Sequence, residues 1–531
     1  MFFNLINKYS ISFYLLMISQ FIHSQERGLD ERINEAFTPI ANWWEGLILH
    51  NFPGTEIPTI IFLLVGGALF FTIYFGFVNI RHFATAINTV RGKYDSLENN
   101  KKTDLDKNNN EGEVSHFQAL ATAVSGTVGN GNIAGVALAI AVGGPGATFW
   151  MILCGLLGMS TKFVECTLGV KYRDVGLEGT VYGGPMYYLT KGLKERGFVK
   201  LGKVLAVTFA LLCIGASFGG GNAAQSNQAA MQLVSSFGMT GGSARTIIGL
   251  VMMILVGIII IGGIKRIASV TEKIVPLMAL MYILACLYII ISNIGFVDDA
   301  IGMIISQAFS PQAGLGGLLG VLVTGFRRAA FSNEAGAGSA SIAHSAVKTR
   351  FAASEGLVAL LEPFIDTVVI CTMTALVIII FNGDNTIFEY GGVGGVVMIN
   401  GAPAEGAGIT AAAFSEYISF SGPFLTIAVV LFALSTMISW SYYGLQSWMY
   451  IFGKSKISEM TYKSLFLIFI VIGAAGDMSS VWAFSDAMIL ALVFPNMIGL
   501  LFLFPRVRKE LNSYLKAIST IKTNTEKTLL K

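Results

Sequence analysis

Two short stretches carry polar residues where an apolar chain has least use for them. Residues 125–146 read SGTVGNGNIAGVALAIAVGGPG, and the first half holds Gly126, Gly129, Gly131 and Gly135 with Asn130 and Asn132 among them. About 200 residues later, 331–341 read FSNEAGAGSAS, with Asn333, Glu334, Gly336 and Gly338. Glycine inside a helix costs about 1 kcal/mol against Ala, and backbone freed by a break finds no water in lipid. Irregular backbone survives at membrane depth where it lines a cavity or is enclosed by protein. The chemistry it suits is reversible binding. Amide N–H groups opening an outer half-helix suit a carboxylate, and carbonyls ending the inner half suit a monovalent cation. Gly126, Gly129 and Gly131 permit unusual dihedrals, while Asn130 and Asn132 add donors and acceptors without charge. Packing through small residues accounts for the glycines, not for the two asparagines.

Other polar residues fall in apolar runs. Residues 217–230 contain Phe218, Asn222, Gln225 and Gln228. Asn222 and Gln225 lie three apart, which places them on one helix face; bonding across to a neighbouring helix is the alternative to facing a ligand. Residues 434–444 read LSTMISWSYYG, with Thr436 and Trp440 four apart on one face and Ser435 and Ser439 nearby. Hydroxyl and carbonyl oxygens without full charge suit a reversibly held Na⁺, and Thr127, Asn130, Ser435, Thr436 and Ser439 form the candidate sodium set. A hydroxyl can instead bond back to its own helix. Glu334 is ionisable at membrane depth, which points to function: it holds the unwound backbone, touches substrate, or pairs with Arg327 or Arg328. Those arginines can also close the outer side by pairing with Asp366 or Glu362. No HExxH, phosphate loop or GxSxG elbow is present. The five cysteines lie in apolar runs without CxxC spacing, and the five histidines are too scattered for a metal site. Nothing in the chain reads as an enzyme or as needing a cofactor.

The elements that must position these residues are membrane helices. The chain is 54% hydrophobic and 13% charged, against about 25% charged in soluble domains. A net charge of +3 implies neither nucleic acid nor another acidic partner, and no obligate protein partner is evident. Residues 1–24, with Lys8 and an apolar run at 11–22, have the outline of a secretory leader or of an extra helix. Residues 25–58 form an external polar segment with an amphipathic piece at 37–49 suited to the interface. Spans are expected near 59–80, 117–141, 147–169, 204–235, 245–263, 274–294, 315–345, 356–381, 422–446, 464–480 and 483–505. Lys and Arg gather after alternate spans, as at Arg81, Arg91 and Lys93 or Lys454, Lys456 and Lys463, whereas 382–421 has neither. This bias puts the basic tail, 506–531, in the cytoplasm. The polar stretch 98–113 is a cytoplasmic insertion.

Setting the first span aside leaves ten, whose first and sixth members are the two Gly-broken stretches, crossing in opposite directions. Five plus five inverted helices, each half opening on a broken helix, is the LeuT-type transporter plan. The halves are 117–294 and 315–505 within one transport domain, 59–505. The fold class is therefore an all-α polytopic membrane protein of about 11 helices.

The chain resembles the alanine or glycine:cation symporters, the bacterial sodium:alanine symporter family. The residues carrying the likeness are VGNGNIAGVALAIAVGGPGATFWM at 128–151, VYGGPMYYL at 181–189, SFGGGNAAQSN at 217–227, RRAAFSNEAGAGSASIAH at 327–344 and STMISWSYYG at 435–444. The resemblance implies a multi-pass protein of the bacterial inner membrane. It also implies inward symport of alanine, glycine or a similar small neutral amino acid with Na⁺, or sometimes H⁺. Carried onto this sequence, it places the stretch from Asn130 to Asn132, together with Gln225, the Asn333 region, Thr436 and Trp440, around the substrate. The family has Thr where this chain has Asn130, and Thr148 and Ile152 also depart from its pattern. If Trp440 bounds the pocket, Trp440→Ala should admit larger amino acids, since one methylene is worth about 1–3 kcal/mol; unchanged exclusion in competition uptake would remove Trp440 from the wall.

Overall fold

The computed structural model describes residues 29–529 apart from 56, 99–111, 177–178, 311–316 and 384. The leader at 1–24 and almost all of the insertion at 98–113 lie outside these residues. Almost everything described is helix. The first helices are α1 (Leu29–Ile48), α2 (Thr59–Tyr74) and α3 (His116–Thr127). Ser115 and Gln118 open α3 with a reciprocal capping box, at 3.2 and 3.1 Å. After a turn at 128–130, a π-helical turn at Gly131–Gly135 leads into α4 (Val136–Gly143), bent 51° from α3. Next come α5 (Gly146–Lys171), α6 (Pro185–Glu195), α7 (Val199–Phe218), α8 (Ala224–Phe237), α9 (Ala244–Ile260), α10 (Gly263–Ser292) and α11 (Ile294–Ala308).

The second half begins with α12 (Gly317–Asn333), which ends where Glu334 turns to φ 54°. Gly336 and Gly338 follow at φ 96° and 84°, then α13 (Ser341–His344). Further helices are α14 (Ala352–Ala359), continued by a short turn at Leu361–Pro363 and a π-helix at Phe364–Cys371, then α15 (Thr372–Asn382), α16 (Ala407–Tyr417), α17 (Ser421–Phe452), α18 (Lys456–Ala475) and α19 (Met478–Leu529). Among the described residues, seven helices are long and apolar enough to cross a membrane, or eight counting the bent α3–α4 pair, and α2 and α9 are shorter apolar helices. Two small antiparallel ribbons, 174–175 with 181–182 and 397–399 with 402–404, lie in loops.

Three segments gain detail. The span placed at 464–480 is α18, which starts at Lys456 under a Ser455 cap and stops at Gly476; the apolar window missed its polar first turns. From 506 to Leu529 the tail is a helical continuation of α19. Leu511 and Tyr514 are buried, and Lys171 meets Glu510 at 2.9 Å, so tertiary contacts carry the helix past its apolar run. The amphipathic piece at 37–49 is the second half of α1, which docks on α19 through Phe37 and Phe484, 5.2 Å between rings, and Thr38 with Ser480 at 2.8 Å.

A buried polar column joins α3, α5 and α13–α14. Lys162 Nζ lies 3.0 Å from Glu362 Oε1, and His344 Nε2 lies 3.6 Å from the other oxygen. His344 Nδ1 meets Glu355 at 2.5 Å, and His116 meets the opposite oxygen of the same carboxylate. The two histidines, distant in sequence, thus converge on one acid. Removing one member of a buried ion pair costs about 3–5 kcal/mol because the survivor is stranded. Lys162→Met should therefore lower the melting temperature in detergent sharply, and Lys162→Met with Glu362→Gln should recover most of the loss; equal melting of the single variant and the parent would reject the pair's structural role.

Candidate functional site

The break between α3 and α4 is held by its own asparagines. The Gly129 amide donates to Asn132 Oδ1 at 2.8 Å. The Asn130 amide donates to Gln225 Oε1 at 2.9 Å, and Asn130 Nδ2 to the Gln225 carbonyl at 3.2 Å. Asn132 Nδ2 reaches Asp366 Oδ1 at 2.6 Å. Asp366 also accepts from Ser332 Oγ at 2.8 Å and Thr367 Oγ1 at 2.7 Å, which ties the first break to the end of α12. Buried polar backbone is thereby satisfied from three sides.

α17 closes the remaining side at very short range. A Cβ on Gly129 would lie 2.4 Å from Thr436 Oγ1, and one on Gly221 would lie 2.2 Å from the Trp440 ring. Trp440 is buried, and its Nε1 donates to Glu334 Oε1 at 2.8 Å. Ser339 donates to the other Glu334 oxygen, so Glu334 bridges the second break to the indole. Asn130 Oδ1, Thr436 Oγ1 and Ser439 Oγ are buried here without hydrogen-bond partners. Leaving a buried polar atom unmatched costs about 1–3 kcal/mol, and these three atoms are the candidates for meeting a cation or a polar ligand.

The structure brings Gly129, Asn130, Gln225 and Thr436 together, with Ser439 about one turn along α17 from Thr436 and Trp440 against Gly221. Gly126 lines the same seam, beside the Tyr443 hydroxyl, and Gly131 lies against Phe331. The Thr127 and Ser435 hydroxyls donate back to the carbonyls of Ala123 at 3.2 Å and Phe432 at 3.0 Å. Asn333 caps the second break instead, with Nδ2 on Thr367 Oγ1 at 2.9 Å and Oδ1 accepting from Ala335 at 3.0 Å. Beyond it, the Gly336 amide donates to Glu165 at 2.9 Å, and Gly338 packs against Asn496.

Two expectations are corrected by geometry. Asn222 and Gln225 do not share a face, because Asn222 lies in the π-helical turn at Gly219–Ala223, whose wider winding changes its angle relative to α8. Asn222 Nδ2 points to the Phe466 carbonyl on α18 at 2.6 Å, while Gln225 meets Asn130. Arg327 and Arg328 pair with none of Glu334, Asp366 or Glu362. Arg327 binds Asp486 at 2.8 Å and Glu45 at 2.5 Å, and Arg328 binds Asp486 as well. They line a cavity of about 320 Å³ with Trp482, whose ring sits 4.8 Å from that of Phe331. Tyr443 and the Asp366–Asn132 bond were missed. Tyr443 stands seven residues after Thr436, a same-face spacing, and Asp366 is an acid inside an apolar run; these were the signals available.

The profile of the sodium:alanine symporter family matches residues 46–528. The chain belongs to that family. It is therefore a membrane transporter and not an enzyme. The sodium/alanine symporter AgcS of Methanococcus maripaludis is 40% identical over 472 residues, covering 88% of this chain and 96% of that one. The probable sodium/glutamine symporter GlnT of Bacillus subtilis is 33% identical, covering 86% and 87%. A putative sodium/proton-dependent alanine carrier protein of the same organism, YrbD, is 34% identical, covering 86% and 89%. Among solved structures, the chain is similar to MhsT in complex with L-phenylalanine, with 16% identity, a TM-score of 0.47, and 75% and 99% coverage.

Gly129→Ala tests the junction directly. Its methyl must displace Thr436, and overpacking of this kind costs about 1–3 kcal/mol. Transport should fall at least tenfold while the amount of protein in the membrane stays unchanged; a wild-type rate would mean the α3–α17 approach is looser than described.

Proposed function

We propose that this protein is a sodium-coupled symporter that carries alanine, glycine or a similar small neutral amino acid into the cytoplasm. The single observation that carries this reading is the trio of unpartnered oxygens at Asn130, Thr436 and Ser439 beside the first helix break. Neutral oxygens bind a monovalent cation firmly enough to hold it and weakly enough to release it. The end of α3 offers carbonyls to the cation. Thr127 and Ser435 contribute through helix geometry and not as ligands. Asn130, Gln225, Thr436 and Trp440 line the substrate side, with Gly126, Gly129, Gly131 and Asn132 shaping the backbone and Asn333 bracing the second break. Trp440 sets the size limit, and Glu334 and Ser339 hold it in place. Arg327 and Arg328, with Asp486 and Glu45, close the route on the side of the 320 Å³ cavity.

The pairing of a break in α3–α4 with one after α12 supports the LeuT-type five-plus-five reading of the domain 59–505. The basic loops support a cytoplasmic C-terminus, and the family resemblance supports a bacterial inner membrane. The relatives' names span alanine and glutamine, so the pocket itself must choose the substrate.

Uptake of labelled alanine and glycine into proteoliposomes tests the reading, with an inward Na⁺ gradient and a matched K⁺ control. Uptake should require Na⁺. Uptake that ignores Na⁺ and follows a pH gradient would move the coupling to a proton, with Glu334 as its carrier. In the same assay, Thr436→Val removes one oxygen and keeps the shape, so half-maximal Na⁺ should rise about tenfold, the equivalent of roughly 1.4 kcal/mol. An unchanged Na⁺ curve would take Thr436 out of the ion site.

A further inference from the structure

The unpartnered oxygens do not end at Ser439. Along the same helix, α17, the Tyr443 hydroxyl and Gln446 Oε1 are also buried without hydrogen-bond partners. At about 100° per residue, positions 436, 439, 443 and 446 fall within a sector of about 80°, so they form one stripe roughly 15 Å long. The wall opposite is α3, and it is bare where the stripe passes: a Cβ on Gly126 would lie 3.0 Å from the Tyr443 hydroxyl, as one on Gly129 would lie 2.4 Å from Thr436 Oγ1. Ser125 zips the seam by donating to the Ser435 carbonyl at 2.8 Å. The stripe leads away from the break toward the Phe452 end of α17, which is followed by Lys454 and Lys456. Glu334 accepts a hydrogen bond from Trp440 beside its upper end.

We propose that the α3–α17 seam is the cation's exit route and that the Tyr443 hydroxyl is its first stop after Thr436 and Ser439. This rests on the sodium-coupled reading above. A tyrosine oxygen is a good relay: it is neutral, its ring is fixed 5.3 Å from Trp440, and it offers lone pairs without the grip of a carboxylate. Binding at equilibrium belongs to the upper oxygens; departure belongs to Tyr443. A carrier that cannot unload its ion returns loaded, so net uptake suffers while exchange continues.

Tyr443→Phe removes only the hydroxyl. In proteoliposomes, net Na⁺-driven alanine uptake should fall about tenfold. Alanine–alanine exchange with saturating Na⁺ on both sides should stay within about twofold, because exchange needs no net ion release. Equilibrium binding of radioactive Na⁺ to the purified variant should match the parent. Unchanged net uptake would overturn the proposal, and so would an equal loss of uptake and exchange, which marks a structural role. Weakened equilibrium binding would make Tyr443 a ligand of the site and not a stop on the route. If the parent itself shows no Na⁺-driven uptake, it is the sodium-coupled reading that fails.

Discussion

A helix broken inside a bilayer must have its loose backbone satisfied by protein, since lipid offers nothing. Much of this structure follows from that requirement. Asn130 and Asn132 satisfy the first break by reaching Gln225 and Asp366. Glu165 and Asn496 do the same for the second, meeting the Gly336 amide and carbonyl. Asp366 and Ser332 then link the two breaks to each other. Among the buried polar atoms left without partners are Asn130 Oδ1, Thr436 Oγ1 and Ser439 Oγ, where the first break faces α17. Binding capacity here is what remains once the backbone has been served.

The breaks themselves were legible in the sequence because helix packing explains the glycines but not the asparagines set among them. Thr436, Ser439 and Trp440 were legible because 3.6-residue periodicity put them on one face. What could not be read was direction. Thr127 and Ser435 have the same chemistry as Thr436, yet their hydroxyls turn back to their own helices. Only the partner helix decides which of three neighbouring hydroxyls is left free. The arginine partners were illegible for a related reason: Glu45 lies 282 positions from Arg327 in the chain, on a helix outside the expected spans.

Close approach is the second theme. Gly129 against Thr436, Gly221 against Trp440 and Gly444 against Ser217 all place backbone where a side chain would stand. Helices in lipid have little hydrophobic reason to associate, and small residues let dispersion and hydrogen bonds act at short range. The buried Lys162–Glu362 pair and the histidines on Glu355 add directional contacts to that close packing. Such charges stabilise little in net terms, but they penalise any arrangement that separates them.

The triple glycine at 219–221 has an evolutionary consequence. Its π-helical turn changes the phase of α8 relative to α7, sending Asn222 toward α18 and Gln225 toward the first break. A one-residue deletion there would act as a rotation of about 100° and would dial a different set of amides toward the site. Length change in this run is therefore a coarse selector, available to a lineage without touching any residue of the pocket itself.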